Sequence, residues 1–494
     1  MISRARSATL VGIEALPVEI EVDLQRGAAI FVMVGLPDKA VQESQERVRT
    51  AIRQSELTFP NQKIICNLAP GDIRKEGPFL DLPIAAAILA GSGQAAAEGL
   101  NDTLFLGELS LDGTLRPVNG AVSVALLCRE RGFKRLVLPK PNASEAAVVP
   151  ELEVYGVENL LETVELMNGS MLLQPESAPE ARQAVQPRYE VDFNDVKGQA
   201  HAVRALEIAA GGGHNALMIG PPGSGKTMLA RRMPTILPPL SLDEAIEVTR
   251  IYSTSGNKAA GGLVWERSFR SPHHTSSYAA VVGGGKNPKP GEISLAHHGV
   301  LFMDEMPEFD RGVLEALRQP LEDGVISVAR VQATLDFPAE TILIGAMNPS
   351  PHGQEETGIA AERYRRKISA PLLDRIDLHL SVPKLNPEEL GDKPGNEDSA
   401  TIRARVVAAR ERQTERFGRP QVNAKMSPRE LRELIGLDEQ ARDFMRMVAA
   451  KMNLSARVYD RVLKVGRTIA DLNGDPEVKK NHLAEAVQYR GGFA

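Results

Sequence analysis

Eight consecutive residues, Gly220-Pro221-Pro222-Gly223-Ser224-Gly225-Lys226-Thr227, set glycines, a lysine and a hydroxyl in the spacing G-x-x-x-x-G-K-T. Glycines let backbone N–H groups wrap an anion, and a following helix adds the positive end of its dipole. The chemistry this predicts is phosphate binding: Lys226 reaches the β- and γ-phosphates of ATP, and the Thr227 hydroxyl is a Mg²⁺ ligand. About 75 residues on, Val300-Leu301-Phe302-Met303 runs into Asp304-Glu305. At the end of a strand, Asp304 can hold Mg²⁺ through water and Glu305 can polarise an attacking water. Such a strand end alone is more often a helix cap; beside a phosphate loop the catalytic reading is the stronger. The run Thr341–Ala346 ends at Met347-Asn348, an amide beside the expected γ-phosphate. Leu372-Leu373-Asp374-Arg375-Ile376-Asp377 places an arginine just before the next strand. That charge could complete a neighbouring subunit's site as an arginine finger. The alternatives are a strand-end turn for Asn348 and an ion pair with Asp374 or Asp377 for Arg375.

These positions need elements to hold them. The apolar runs Ala216–Ile219, Val300–Met303, Thr341–Ala346 and Leu378–Val382 read as strands of a buried parallel sheet, and a helix starts near Met228. Helical periodicity fills Ala400–Phe417, Pro428–Ile435, Glu439–Met452 and Ala456–Asn473. Ahead of the phosphate loop, from Ser7 to about Met167, strand-like runs such as Val18–Leu24, Ala29–Val34, Lys63–Asn67 and Arg135–Leu138 alternate with helical stretches at Asp38–Ser55 and Leu80–Leu89. The class is therefore α/β, or α+β in that front part. Pro, Gln, Ser, Ala and Glu dominate Asn168–Arg188, which reads as a linker. The expected segments are a front domain over 1–168, a linker over 169–190, an ATPase core over 191–385 and a helical lid over 386–494.

Composition is that of a soluble globular chain, 43% apolar and 25% charged over 494 residues. No apolar run approaches the ~20 residues of a membrane helix, so a cytoplasmic protein without a membrane partner is expected. Cys66 and Cys128 offer neither a disulfide framework nor a Cys-rich metal site. The net charge of −6 is unevenly distributed: residues 401–494 carry 19 Lys+Arg against 12 Asp+Glu. A basic tail fits a polyanion-facing surface, but from charge alone a solvated helical face rich in arginine is the favoured reading.

Asp195-Val196-Lys197-Gly198-Gln199, the phosphate loop, Phe269-Arg270-Ser271-Pro272-His273-His274-Thr275, Gly299–Glu305, Leu372–Leu378 and Leu463–Leu472 together resemble the magnesium-chelatase-like AAA+ proteins. With the front domain included, the whole chain resembles the YifB/ComM group, which includes a DNA branch-migration helicase of natural transformation. The resemblance implies Asn348 as sensor 1, Arg375 as arginine finger and Arg457 as sensor 2. It also implies a hairpin over Asp323–Pro338 that pairs Val325–Ala329 with Thr334–Phe337, with Arg330 near its tip as a candidate DNA phosphate contact. The front domain is similar to the Lon-protease fold. Phe79 stands where that protease has its serine and Val124 where it has its lysine, with Ser123 beside it. Peptide hydrolysis is then excluded for want of nucleophile and base. Many family members carry a Cys cluster after sensor 1; here Asn348-Pro349-Ser350-Pro351-His352-Gly353 has none, so no zinc site is expected. The pairs His273/His274 and His297/His298 are expected to be structural or close to nucleotide rather than metal ligands.

Three functions compete. The first is a homohexameric ATP-driven DNA motor acting on single-stranded or branched DNA. The second is a motor subunit for inserting Mg²⁺ into a porphyrin, and the third a protein-remodelling ATPase. The absence of an acidic metal-binding domain weighs against the second, and the missing Ser/Lys dyad removes the protease version of the third.

Overall fold

In the computed structural model, the described residues are 2–490 apart from 76, 171–172, 178–188, 257–262, 286–287, 330–333, 351–358 and 386–394. The chain forms two compact units, residues 1–185 with 241–264, and residues 186–240 with 265–494. Core and lid thus fall in one unit, while a stretch inside the expected ATPase core, Ser241–Val264, packs with the amino-terminal unit.

The amino-terminal unit is built on a seven-stranded sheet. Its strands are β1 (Ile2–Val11), β2 (Glu14–Gln25), β3 (Phe31–Val34), β4 (Lys63–Ala69), β5 (Thr103–Phe105), then β8 (Arg135–Pro139) and β9 (Glu153–Val157), in the order β3-β4-β2-β1-β5-β8-β9. Two short strands, β6 (Glu108–Leu109) and β7 (Leu115–Arg116), pair separately. β1 and β2 form an antiparallel hairpin from Ile2↔Asp23 to Val11↔Glu14, whereas β5, β8 and β9 run parallel. Period-two alternation buries Ile64, Cys66 and Leu68 of β4, and burial pushes the Cys66 thiol up to about 12. The apolar run after Pro78 becomes the helix Asp81–Gly91, buried on every side up to Ala90. The helix Leu242–Ser255 opens with a Ser241/Glu244 capping box, and its Arg250 pairs with Glu14 at 2.7 Å.

In the second unit the strands are β10 (Ala216–Ile219), β11 (Phe269–Arg270), β12 (Gly283–Gly284), β13 (Lys289–Pro290), β14 (Val300–Met303), β15 (Val325–Ala329), β16 (Thr334–Pro338), β17 (Ile342–Met347) and β18 (Leu378–Ser381). Five of them form a parallel sheet in the order β11-β14-β17-β10-β18. Alternate residues serve two different cores. Ala216, Met218, Phe302, Ile344 and Leu380 face the helices Ala200–Gly212, Lys226–Ile236 and the lid. Leu217, Leu301, Met303, Leu343 and Met347 face Val313, Leu317, Ile326 and Leu372. Burial on both faces is why these strands are continuously apolar. Each such side chain contributes about 1.5–3 kcal/mol. The lid comprises the helices Ser399–Phe417, Pro428–Leu434, Glu439–Met452, Ala456–Asn473 and Lys480–Gln488. Asp398, Ser427, Asp438 and Ser455 cap the first four of these.

Candidate nucleotide site and a second cationic cavity

The phosphate loop leaves the C-terminal end of β10, a central strand of the parallel sheet, and enters the helix Lys226–Ile236. Gly225 caps that helix at φ +92°, a left-handed conformation that L side chains rarely adopt. At Gly220 a Cβ would lie 2.1 Å from the Val382 carbonyl, so only glycine lets the loop pass the end of β18. Lys226 Nζ donates to the Gly220 and Pro221 carbonyls at 2.5 and 2.9 Å and to Asn348 Oδ1 at 3.3 Å. Burial draws its pKa below the usual lysine value, against the opposing pull of Asp304 and Glu305. Gln199 Nε2 reaches the loop from the other side, 3.4 Å from the Ser224 carbonyl and 2.7 Å from that of Pro383.

Thr227 Oγ1 donates to Asp304 Oδ2 at 2.8 Å. The two oxygens expected to share a divalent cation therefore meet, although 77 residues separate them. Ser224 Oγ is buried beside them without a partner among the described residues. Hard oxygen donors at a helix N-terminus, with Lys226 adjacent, fit Mg²⁺ bound together with nucleotide phosphates. Glu305 is held at φ +49° just past β14, with its N–H donating to Asp304 Oδ1 at 3.0 Å. Its carboxylate stays half exposed and lies 3.3 Å from His274 Nδ1. The His273 ring lies tilted against that of His274, centroids 4.2 Å apart, and its Nδ1 lies 2.8 Å from Thr275 Oγ1. His274 thus sits beside the catalytic candidate, a contact between residues 31 apart that spacing alone does not show.

Arg375 lies elsewhere. Its ion-pair partner is Glu322, neither Asp374 nor Asp377, and its Nη1 donates to Pro371 O at 2.6 Å. Its Nε is buried and unpaired among the described residues. Arg375, Arg457, Arg461, Lys464 and Lys425 line a cavity of about 310 Å³, with the carboxylates Glu322, Asp374, Asp377 and Asp460 also on its wall. Among the described residues, that lining includes none of Gly220–Thr227. The reason lies in β10. Asn215, just before the strand, donates from Nδ2 to the Arg375 carbonyl, whereas the phosphate loop leaves the strand's other end. Five residues of extended chain separate the two ends by about 16 Å. Arg375 and Arg457 come together at the end of the sheet remote from their own phosphate loop.

Comparison with known proteins places this arrangement. Residues 192–390 match the family Magnesium chelatase, subunit ChlI; residues 20–142 match Subunit ChlI of Mg-chelatase; and residues 396–490 match Magnesium chelatase, subunit ChlI C-terminal. Competence protein ComM of Haemophilus influenzae is 44% identical over 98% of the chain and 96% of its own length. YifB of Escherichia coli is 41% identical over 99% of the chain and 97% of its own length. The chain belongs to the ComM/YifB family of magnesium-chelatase-like AAA+ proteins. A chloroplastic magnesium-chelatase subunit ChlI of rice is 28% identical over 42% of the chain and 42% of its own length. As a family member the chain is an AAA+ ATPase, with nucleotide and Mg²⁺ as the family's reagents.

Within this AAA+ frame the basic tail is largely paired internally. Arg405 binds Glu207 and Glu397, Arg416 and Arg467 both bind Asp471, Arg419 binds Glu430 and Arg461 binds Asp377. The cavity around Arg375 and Arg457 is where the tail's cations converge on open space. β15 and β16 pair antiparallel from Val325↔Pro338 to Ala329↔Thr334. Arg330 lies outside the described residues, as do residues 351–353. In the amino-terminal unit Phe79 is half-buried and Val124 buried, while Ser123 Oγ donates to the Ile13 carbonyl at 2.6 Å. No described helix is long and apolar enough to cross a membrane.

Proposed function

We propose that this chain is an ATP-driven DNA motor that assembles into a ring, a hexamer, and migrates branched DNA in natural transformation or recombination. Its similarity to a competence protein along 98% of its length carries this reading. The antiparallel β15–β16 pairing, the hairpin the family resemblance implies for nucleic-acid contact, supports it.

The proposed chemistry follows from the chain's own groups. Residues Gly220, Pro221, Pro222, Gly223, Ser224 and Gly225 cradle the ATP phosphates, and Lys226 supplies charge to the β- and γ-phosphates. Thr227 and Asp304 hold Mg²⁺, which when bound neutralises charge between those phosphates. Glu305 accepts a proton from the attacking water, and Asn348, 3.3 Å from Lys226 Nζ, orients that water and the γ-phosphate. Arg375 and Arg457 act on a neighbour's nucleotide, because about 16 Å of β10 lies between the Arg375 loop and its own phosphate site. The amino-terminal unit is a non-catalytic scaffold.

The test is ATP turnover with single-stranded, duplex and four-way-junction DNA at low and moderate salt. Stimulation by branched or single-stranded DNA that weakens with salt, and is lost in Glu305→Gln, supports the motor. No response and no DNA binding at low salt would move the chain to the second reading, a chelatase-type or protein-remodelling motor, which the partial likeness to the rice subunit favours.

A further inference from the structure

In the wall of the Arg375 cavity Asp377, Arg461 and Asn215 belong to a polar junction that the proposed chemistry does not use. Asp377, two residues after Arg375, is nearly inaccessible and stands between two elements. Its Oδ1 accepts from Arg461 Nη1 on the helix Ala456–Asn473. Its Oδ2 lies 3.0 Å from His214 Nδ1, and His214 Nε2 lies 2.8 Å from Thr468 Oγ1 on the same helix. Asn215 clamps the turn from the sheet side. Its carbonyl accepts from the Asp377 and Leu378 N–H groups at 3.0 Å each, and its side chain bonds the Arg375 carbonyl and Leu343 N. Arg461 is one turn along from Arg457, so the anchored arginine fixes the helix face that carries Arg457, whose charge acts on Glu322.

We propose that Asp377 is a positioning residue. Through Arg461 and His214 it locks the Arg375 turn to the lid helix, so that Arg375 and Arg457 reach one phosphate as a rigid pair. The proposal rests on the reading that this cavity receives a neighbouring copy's nucleotide. A carboxylate bridging a guanidinium and an imidazole holds both elements in place, and buried polar groups tolerate few other arrangements. Burial would raise the Asp377 pKa, but Arg461, His214 and Arg490 overcome it and hold the carboxylate ionised. A displacement of 1 Å at such arginines costs about 100-fold in rate.

The experiment uses full-length chains alone and in equal mixtures, with Mg-ATP as substrate. Asp377→Asn alone should lower kcat about 30- to 100-fold with KM for ATP within about twofold, because its own phosphate loop is intact. Mixed with Glu305→Gln, it should recover to within about tenfold of wild type, since the partner's arginines now serve its intact site. A purely structural role predicts no such rescue. Arg375→Ala mixed with Glu305→Gln is the reference. Rescue of both supports the proposal. Rescue of Arg375→Ala alone overturns the role of Asp377 while leaving the shared site standing. Rescue of neither overturns the shared site and the proposal with it, and so does a wild-type kcat in Asp377→Asn for the proposal itself. Should Asp377→Asn fail to fold, Arg461→Met breaks the same bridge from its partly exposed side, with the same outcomes expected.

Discussion

Lys226 and Glu305 separate binding from chemistry. Lys226→Ala removes the charge that meets the β- and γ-phosphates, and nucleotide affinity measured by equilibrium titration should fall together with turnover. Glu305→Gln keeps shape and loses only the proton acceptor, so ATP should still bind while kcat falls by about two to three orders of magnitude in steady-state assays. His274 shares a hydrogen-bonding distance with that carboxylate. The phosphate loop was legible from eight residues because its geometry is local: glycine conformations, a strand before and a helix after. Pairings across the fold were not. Glu322 with Arg375, and His214 with Asp377, join residues 53 and 163 apart, and no periodicity or local spacing marks them.

The elements show the same division. β10, β14, β17 and β18 were readable because both faces are buried and the chain answers with unbroken apolar runs. β11, two residues long at the sheet edge, carries too little pattern to announce itself. In the lid, Arg467 is almost wholly buried and binds Asp471, which also receives Arg416. Arg467→Met takes one of two cations from that buried carboxylate, leaving Arg416 and Asn423, and should cost about 1–3 kcal/mol in urea unfolding. The capping box of the helix Pro428–Leu434 provides a gentler test. The Ser427 N–H, with Ser427 Oγ, Gln421 and Arg419, lowers the Glu430 pKa to about 2. A carboxylate depressed on folding contributes stability above its unfolded pKa and loses it as pH falls through the folded one. That contribution should be complete above pH ~4.5 and fade toward pH 2, and NMR titration of Ser427→Ala should show the Glu430 pKa moved upward.

At the scale of the whole molecule, the proposed action of Arg375 and Arg457 on a neighbour's nucleotide requires a ring. Turnover per chain should therefore rise with protein concentration in the range where rings assemble, tracked by analytical ultracentrifugation, and a monomer with full activity would exclude this. Arg375→Ala should lower kcat by about 10³-fold without impairing assembly. The helix Leu242–Ser255 belongs to the amino-terminal unit but is encoded after the phosphate loop. A fragment ending at the linker leaves the ribosome without the residues that contribute Ala245, Val248 and Ile251 to its interior. During synthesis the helix that completes the first unit emerges only after the residues Gly220–Thr227. Gene fusions, truncations and limited proteolysis that treat the linker as a seam will cut through a unit rather than between two.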